Sequence, residues 1–482
     1  MIKVVFDLYN KHQGYISSDC LDNIREHFSV ENPTAKFSKF KGARFIPSRK
    51  YAITPAGKFD IGMLDEIQNY LTSLQIPYTS VITDPLKEQF KPSYNIKQLS
   101  TLNKEARDYQ VETLNNCLSN GRGTVVIGTA GGKTLTMALL TKTISDNIKN
   151  TKTLIIVPTL QLVEQTYNDF IEYGIDTKTI TKWSGNNKPD FSASIIVVGS
   201  NILHSKNTDL SILKEISLLL IDECHHIKKS NEISDLLKQI NTPHIFGFTG
   251  SLPDNKMDEW SIIGKIGPIV FKKSSYELRE ENYVAPVLIK IIKIKYKEKP
   301  FFLRESKTFK PSEIYNKEND YLYGNEHRNN IIATLCQKLD KNILILVDRI
   351  EHGNILNEII KKLNPTKKVY FIQGDVEMEE REKMRALMEI DDNIVCIAIS
   401  KIFSTGINIK NLHYIMFALI GKASIKIIQS IGRGLRLHEN KQKLVIFDIA
   451  DCLYYSEKHL LRRQELYEKE KINYEIKEFR ED

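Results

Sequence analysis

Apolar and polar positions follow one repeating rhythm along most of the chain. From about residue 124, short runs rich in β-branched residues are each followed by a stretch with helical spacing. The first runs are TVVIGT, TLIIVP, SIIVVGS, ISLLLIDE and HIFGFTGS, and a second set, from about residue 342, reads NILILVD, KVYFIQG, NIVCIAIS, HYIMFALI and KLVIFDIA. Unbroken apolar runs of this length suit strands buried on both faces of a parallel sheet. The pattern predicts an α/β chain with two tandem doubly wound parallel-sheet domains, over residues 96–295 and 331–452. Residues 1–95 lack the rhythm and read as a small α+β domain. Residues 296–330 are polar and lysine-rich, and Pro300 and Pro311 disfavour a long regular element, so this stretch reads as a linker or insertion. Residues 453–482 read as a charged helical tail. Leu453, Leu460, Tyr467 and Tyr474 recur every seven residues without a second apolar seam, which fits a helix packed on its own domain better than a coiled coil.

Composition adds bounds. The chain has 482 residues, 41% hydrophobic and 27% charged, an ordinary globular balance. A formal charge of +8 permits an acidic partner such as nucleic acid without requiring one. The six cysteines are scattered, which argues against a disulfide framework or zinc knuckle and for a reducing compartment. The start, MIKVVFDLYNKHQGY, lacks the apolar core of a signal peptide. No apolar run approaches the roughly 18 residues that would suggest a membrane span. The expectation is a cytoplasmic protein with no membrane partner.

Three short stretches carry candidate chemistry. VVIGTAGGKT stops a buried strand in a glycine-rich loop with one lysine. Gly131, Gly132, Lys133 and Thr134 supply the end of a phosphate-binding loop, in which backbone N–H groups cradle phosphates and the hydroxyl ligates magnesium. The strict pattern wants glycine six residues before the lysine, where Ile127 stands, and Gly128 follows it. A glycine turn entering an ordinary helix is the alternative. LLLIDECHH puts Asp222 and Glu223 at a strand end, either as a charged terminus or as a magnesium ligand and a base that polarises water. In IIQSIGRGLRLH, Arg433 and Arg436 share one helix face, either solvated or acting as fingers on a transferring phosphoryl group.

Taken in order, these stretches resemble superfamily-two helicases, whose domains are RecA-like. LNKEARDYQ is similar to the adenine-recognition segment, IGTAGGKT to motif I, VPTLQLVEQ to motif Ia, DECH to motif II and FTGSL to motif III. SKIFSTGINI is similar to motif V and QSIGRGLR to motif VI. The family does not require the missing glycine. Within it, the likeness is to bacteriophage branched-DNA helicases of the UvsW type. Two departures stand out: Asn408 where many relatives carry Asp, and Cys224 in place of the commoner Ala.

The resemblance implies roles for named residues. Arg107, Tyr109, Gln110, Gly128, Thr129, Ala130, Gly131, Gly132, Lys133, Thr134 and Gly406 would bind ATP. Thr134 and Asp222 would hold Mg2+. Lys133, Asp222, Glu223, Gln429, Arg433 and Arg436 would carry catalysis, with Glu223 as base. His225, Thr249 and Ser251 would couple hydrolysis to movement. Pro158, Thr159, Gly199, Ser200, Ser404 and Thr405 would meet the nucleic-acid backbone. The implied activity is ATP-driven unwinding or branch migration of forks, Holliday junctions and R-loops. Partners would be single-stranded and branched duplex DNA and RNA–DNA hybrid, met as a monomer in the host cytoplasm if the gene is a phage's. An RNA helicase, or an ATP-driven clamp or translocase that does not separate strands, stays open.

In the N-terminal region, AKFSKFKGARFIPSRKY interleaves Lys36, Lys39, Lys41, Arg44, Arg49 and Lys50 with Phe37, Phe40, Phe45 and Tyr51. Basic residues neutralise phosphates and aromatics stack on bases. The alternative is a strand pair whose aromatics fill a small core.

Overall fold

The computed structural model describes residues 2–33, 35, 46–75, 77–90, 96, 98–184, 189–203, 210–228, 231–242, 244–304, 308–373, 384, 386–400, 409, 411–420 and 443–481. The chain forms two compact units, Met1–Ile127 with Gly132–Ser274, and Gly128–Gly131 with Ser275–Asp482. Among the described residues no helix is long and apolar enough to cross a membrane.

The first unit opens with strands β1 (Ile2–Asn10), β2 (Gln13–Ser18), β3 (Ser29–Glu31), β4 (Arg49–Tyr51), β5 (Lys58–Asp60) and β6 (Tyr78–Ile82). Four of them form a mixed sheet in the order β5-β2-β1-β6, with β1 antiparallel to β2 and parallel to β6. Helices α1 (Leu21–His27) and α2 (Leu64–Ser73) accompany it. The strands alternate as half-buried strands must: Val4, Phe6, Ile16 and Phe59 point inward onto Ile24, Phe28 and Ile67. This is the expected small α+β fold. The short β3–β4 ladder ties down part of the basic stretch, since Arg49 pairs with Glu26 at 2.9 Å and Tyr51 donates to Glu26 at 3.1 Å.

The same unit continues with α3 (Asp108–Asn120), β7 (Gly123–Ile127), α4 (Lys133–Asn147), β8 (Thr153–Val157), α5 (Leu160–Glu172), β9 (Ile180–Trp183), β10 (Ile195–Gly199), β11 (Leu218–Asp222), β12 (Ile245–Thr249), α6 (Lys256–Ile266) and β13 (Ile269–Lys273). Its sheet is wholly parallel, in the order β13-β7-β12-β11-β8-β10-β9. Strands β7, β8, β10 and β12 are buried at every residue, as their unbroken apolar runs require.

Helix α6 belongs to both parts of this unit. Trp260 joins the core of the N-terminal sheet, with its ring 5.2 Å from that of Phe28. Two glycines let the backbones touch. A Cβ on Gly62, in the 3-10 turn Ile61–Met63, would lie 2.0 Å from the Ile263 carbonyl oxygen, and one on Gly264 would lie 2.7 Å from the Asp60 Cβ. Lys265 closes the seam on Asp60 at 2.8 Å. Beneath it the Arg122 guanidinium, pulled down to about 10 by burial, donates to the Ile266 and Lys265 carbonyls at 2.6 and 2.9 Å.

The second unit holds β14 (Val287–Lys295), α7 (Pro311–Gly324), α8 (Glu326–Gln337), β15 (Ile343–Val347), α9 (Ile350–Leu363), β16 (Lys368–Ile372), β17 (Ile394–Ile399), β18 (Tyr414–Phe417), β19 (Leu444–Asp451), α10 (Tyr454–Lys469) and β20 (Tyr474–Arg480). Its sheet is parallel throughout, in the order β16-β17-β15-β18-β19-β14-β20. Both sheets match the expected pair of RecA-like domains. Three stretches differ from the pattern reading. β14, inside the range given to the first domain, pairs with β19 in the second sheet, because a parallel strand needs only a neighbour and not one close in sequence. The stretch read as a linker contains α7, with Pro311 at the helix start, where its missing N–H costs nothing. The tail is helical only to Lys469 and returns as β20, so Tyr474 begins an edge strand while Leu460 and Tyr467 are buried on α10.

Gly62→Ala is expected to cost about 1–3 kcal/mol, because its methyl meets a carbonyl that cannot move without shifting α6. Chemical denaturation should read this as an earlier unfolding midpoint. An unchanged midpoint would mean that the seam is looser than these distances require.

Candidate functional site

β7 ends at Ile127, and the chain must leave a sheet buried on both faces. It does so through residues 128–131, closed by a Gly131 N–H donation to the Gly128 carbonyl at 3.0 Å, with Ala130 at φ +64°. Gly132 then takes the left-handed conformation, φ +79° and ψ +37°, and caps α4. Glycine is required there twice over, since a Cβ would also lie 2.4 Å from Nε2 of Gln110. Lys133 and Thr134 therefore stand in the first turn of a helix, at the positive end of its dipole.

The acidic pair leaves the sheet at β11, two strands away across β12. Asp222 accepts the Glu223 N–H at 2.9 Å. Glu223 itself is left-handed, φ +50° and ψ +47°, an unusual conformation for a side chain with a Cβ. One carboxylate oxygen lies 3.6 Å from Lys133 Nζ and the other 3.2 Å from His225 Nδ1. Thr249 donates to the Ser251 carbonyl at 2.9 Å, so its oxygen accepts from His225 Nδ1–H at 3.0 Å. A continuous polar chain thus runs from Lys133 through Glu223, His225 and Thr249 to the backbone of Ser251. Cys224 points the other way, fully buried, its thiol pushed well up by that burial. It fills the space a Cβ on Gly247 would take, 2.9 Å from Sγ.

Gln110 reaches the same edge. Its Oε1 accepts the Arg107 N–H at 3.0 Å, and its Nε2 donates to the Gly132 carbonyl at 3.3 Å. Arg107 donates to the Tyr109 hydroxyl at 3.0 Å. Tyr109 is only 2% exposed, stacked 6.4 Å from Phe271 with Lys273 5.2 Å from its ring, and burial raises its hydroxyl pKa.

Farther along the edge, Thr159 caps α5 by accepting the Leu162 N–H at 3.3 Å, and Ser200 donates to the Pro158 carbonyl at 3.3 Å. Pro158, Thr159, Gly199 and Ser200 are gathered at the ends of the neighbouring strands β8 and β10. A cavity of about 190 Å³ lies between Pro158 and Ser200 on one side and Asp222, Glu223 and His226 on the other.

Comparison with known proteins gives the family. Residues 103–254 match the family described as type III restriction enzyme, res subunit, and residues 326–438 the helicase conserved C-terminal domain. The chain is 30% identical over 393 residues to the ATP-dependent DNA helicase uvsW of Enterobacteria phage T4, covering 77% of this chain and 76% of that protein. The chain belongs to the UvsW-like superfamily-two helicases. Two solved structures share the fold. The Hef helicase domain of Pyrococcus furiosus has a TM-score of 0.51 at 14% identity, over 76% of this chain and 100% of its own. An HsdR subunit fragment of a type I restriction enzyme from Vibrio vulnificus has a TM-score of 0.56 at 16% identity, over 79% of this chain and 70% of its own.

The helicase is ATP-dependent and binds nucleic acid by family. Of its expected site residues, the structure brings Lys133, Glu223, His225 and Thr249 into one chain, sets Gln110 against Gly132, and gathers Pro158, Thr159, Gly199 and Ser200 nearby. Ser251 takes part through its carbonyl. Ser404, Thr405, Gly406, Asn408, Gln429, Arg433, Arg436, Lys36, Lys39, Lys41 and Arg44 lie outside the described residues. Phe271 and Lys273, which hold Tyr109, carry no motif and were not legible as site residues; the structure places them on the edge strand β13.

Gln110→Ala removes two hydrogen bonds, one that caps the start of α3 and one from α3 to the loop that precedes α4. The expected loss is about 1–3 kcal/mol of stability, from roughly 0.5–1.5 for each bond. Nucleotide affinity should weaken in a still-folded protein. Normal stability together with normal affinity would remove Gln110 from the site.

Proposed function

We propose that this helicase hydrolyses ATP to unwind or branch-migrate DNA, acting on forks, Holliday junctions and R-loops in recombination, repair or replication. The observation that carries the reading is the polar chain from Lys133 through Glu223 and His225 to Thr249. It gathers a cation at a helix N-terminus, an acidic pair and a relay at the carboxyl ends of adjacent strands. That donor set fits a nucleoside triphosphate with a divalent cation. In this reading residues 128–132 and Lys133 bind the phosphates, and Arg107, Tyr109 and Gln110 frame the base. Thr134 and Asp222 hold Mg2+. Bound magnesium offsets charge on the phosphate oxygens.

Glu223 takes the proton of the attacking water. Its left-handed turn aims the carboxylate at Lys133 and away from the lobe core. His225 Nδ1 faces both the Glu223 carboxylate and the Thr249 oxygen, so a change at Glu223 reaches the stretch around Ser251. Gln429, Arg433 and Arg436 are assigned to the γ phosphate and Gly406 to the nucleotide by the family pattern. Pro158, Thr159, Gly199, Ser200, Ser404 and Thr405 hold the strand by its backbone, which positions it without reading sequence. Residues 1–95 serve as an accessory DNA-binding domain, with Lys36, Lys39, Lys41 and Arg44 on phosphates. The DNA reading draws support from the phage relative, named a DNA helicase.

The deciding experiment measures ATPase and strand displacement side by side on forks, four-way junctions, R-loops, blunt duplex and RNA duplex. Displacement of branched DNA is expected. Stimulation by RNA alone, or hydrolysis with no displacement on any substrate, would overturn the reading.

Lys133→Ala is expected to abolish hydrolysis in a folded protein, checked by steady-state ATPase beside circular dichroism. Glu223→Gln should bind nucleotide and magnesium yet turn over about a hundredfold more slowly or worse, because the amide keeps the shape and loses the base. Rapid turnover of bound ATP in that variant, read in a single-turnover assay, would reassign the base.

A further inference from the structure

The N-terminal sheet has a second face. Inward positions on β1, β2 and β5 are filled by Val4, Phe6, Ile16 and Phe59, each no more than 1% exposed. The residues between them point the other way, and strand register sets them in rows. Lys3 lies beside Thr79, Val5 between Val81 and Ser17, and Tyr15 between Asp7 and Lys58. Tyr9 completes the face at the end of β1. It is 51% exposed, Tyr15 38% and Val81 48%. These rings are not surplus from the core, which is already closed on the other side.

The polar groups of this face are not neutral in effect. Lys58 Nζ sits 3.6 Å from the Tyr9 ring centroid, and Lys58 is the cross-strand neighbour of Tyr15. Lys3, two outward positions before Asp7 on β1, and Lys11, in the turn joining β1 to β2, are exposed. The carboxylates are held by their own partners. Asp7 accepts the Thr83 hydroxyl at 2.6 Å and the Leu8 N–H at 2.8 Å, and Asp60 is paired with Lys265. The face therefore carries Lys3 and Lys58 with the exposed rings of Tyr9 and Tyr15, and Asp7 as a counter-charge next to Tyr15.

We infer that this face is a platform for single-stranded DNA, with Tyr9 and Tyr15 stacking on successive bases and Lys3, Lys11 and Lys58 on the flanking phosphates. Aromatic rings on a sheet recognise bases without regard to sequence, and lysines supply the salt-dependent grip. In a duplex the base faces are occupied by their neighbours, so the rings select an unpaired strand. A protein partner fits less well, because the cores of such interfaces are depleted in lysine. The platform shares no residue with the basic stretch at residues 35–51, of which Arg49 and Tyr51 are engaged with Glu26. Only the choice of DNA over RNA rests on the function proposed above.

The test uses the full chain and a fluorescein-labelled oligo-dT, with affinity read by anisotropy over a salt series. Tyr9→Ala with Tyr15→Ala should weaken binding roughly fivefold or more per ring, while Tyr9→Phe with Tyr15→Phe should retain it. Lys3→Gln with Lys58→Gln should make the salt dependence shallower, by about 0.7 in log–log slope for each single-strand phosphate no longer neutralised. Both exposed rings can be removed without opening the core, and an unchanged melting temperature checks this. An oligo-dT carrying 5-iodouracil should photocrosslink to Tyr9 or Tyr15. Unchanged affinity in the alanine variant, or crosslinks confined to residues 103–450, would overturn the platform. DNA-stimulated ATPase measured on the same samples separates that outcome from failure of the DNA-helicase reading. If the alanine variant loses affinity for oligo-rU and not for oligo-dT, the platform for DNA is likewise overturned.

Discussion

A parallel sheet covered on both faces has nowhere to display polar chemistry except where its strands end, and the first lobe is organised by that constraint. β7, β8, β10 and β12 are buried along their whole lengths, so the polar residues these strands bring to the site sit at exit turns. The strand order β7-β12-β11-β8-β10 then fixes who meets whom. Lys133 follows β7, Glu223 and His225 follow β11, and Thr249 closes β12 between them. Thr159 and Ser200 follow β8 and β10, on the far side of the acidic pair. One edge therefore carries Lys133 at one end and Thr159 and Ser200 at the other, with Asp222 to His226 in the middle.

Holding that middle in place has a cost. A left-handed Glu223 is disfavoured by about 1–3 kcal/mol. Burial of Cys224 against Gly247 and Ile266 offsets it, because the turn that aims Glu223 outward also drives Cys224 inward. The second lobe uses buried charge for a similar purpose. Arg328, fully buried, binds Asp451 at 3.1 Å and the Ala418 carbonyl at 3.1 Å, fixing α8 to the end of β19. Arg463 and Tyr467 of α10 both reach Asp448 on the same strand, at 2.9 and 2.8 Å. Stripping one partner from such a pair leaves an uncompensated buried ion, a loss of about 3–5 kcal/mol.

The central strands were legible because continuous apolar runs leave few other folds. The strands that escaped notice, β9, β13, β14 and β20, interleave lysine, threonine or glutamate with apolar residues, as IKIIKIK and YEIKEFR do. In a sheet edge or next to one, half the side chains face water, and the run no longer looks buried. The motif residues were legible by order and spacing. Their connection through His225 and Thr249 was not, since it depends on a backbone twist at Glu223 that no local pattern announces. Nor was the fate of Tyr109, whose ring is committed to Phe271 from a strand more than a hundred residues away. The seam between the N-terminal sheet and α6 was hidden for a related reason: Gly62 and Gly264 look like ordinary breakers until their backbones are seen in contact.

That seam bears on how the chain could be rearranged. α6 gives Trp260 to the N-terminal core and Ile262 and Ile266 to the core of the first parallel sheet, so it is a wall shared by two rooms. A cut near residue 95 would strip the wall on one side and leave Trp260 facing water. The natural module for exchange between relatives is therefore residues 1–274 taken whole. An accessory domain grafted in place of residues 1–95 would have to bring its own small residue opposite Gly264 and an apolar pocket for Trp260. Whatever the N-terminal sheet does is thus inherited together with α6, and the two cannot drift independently.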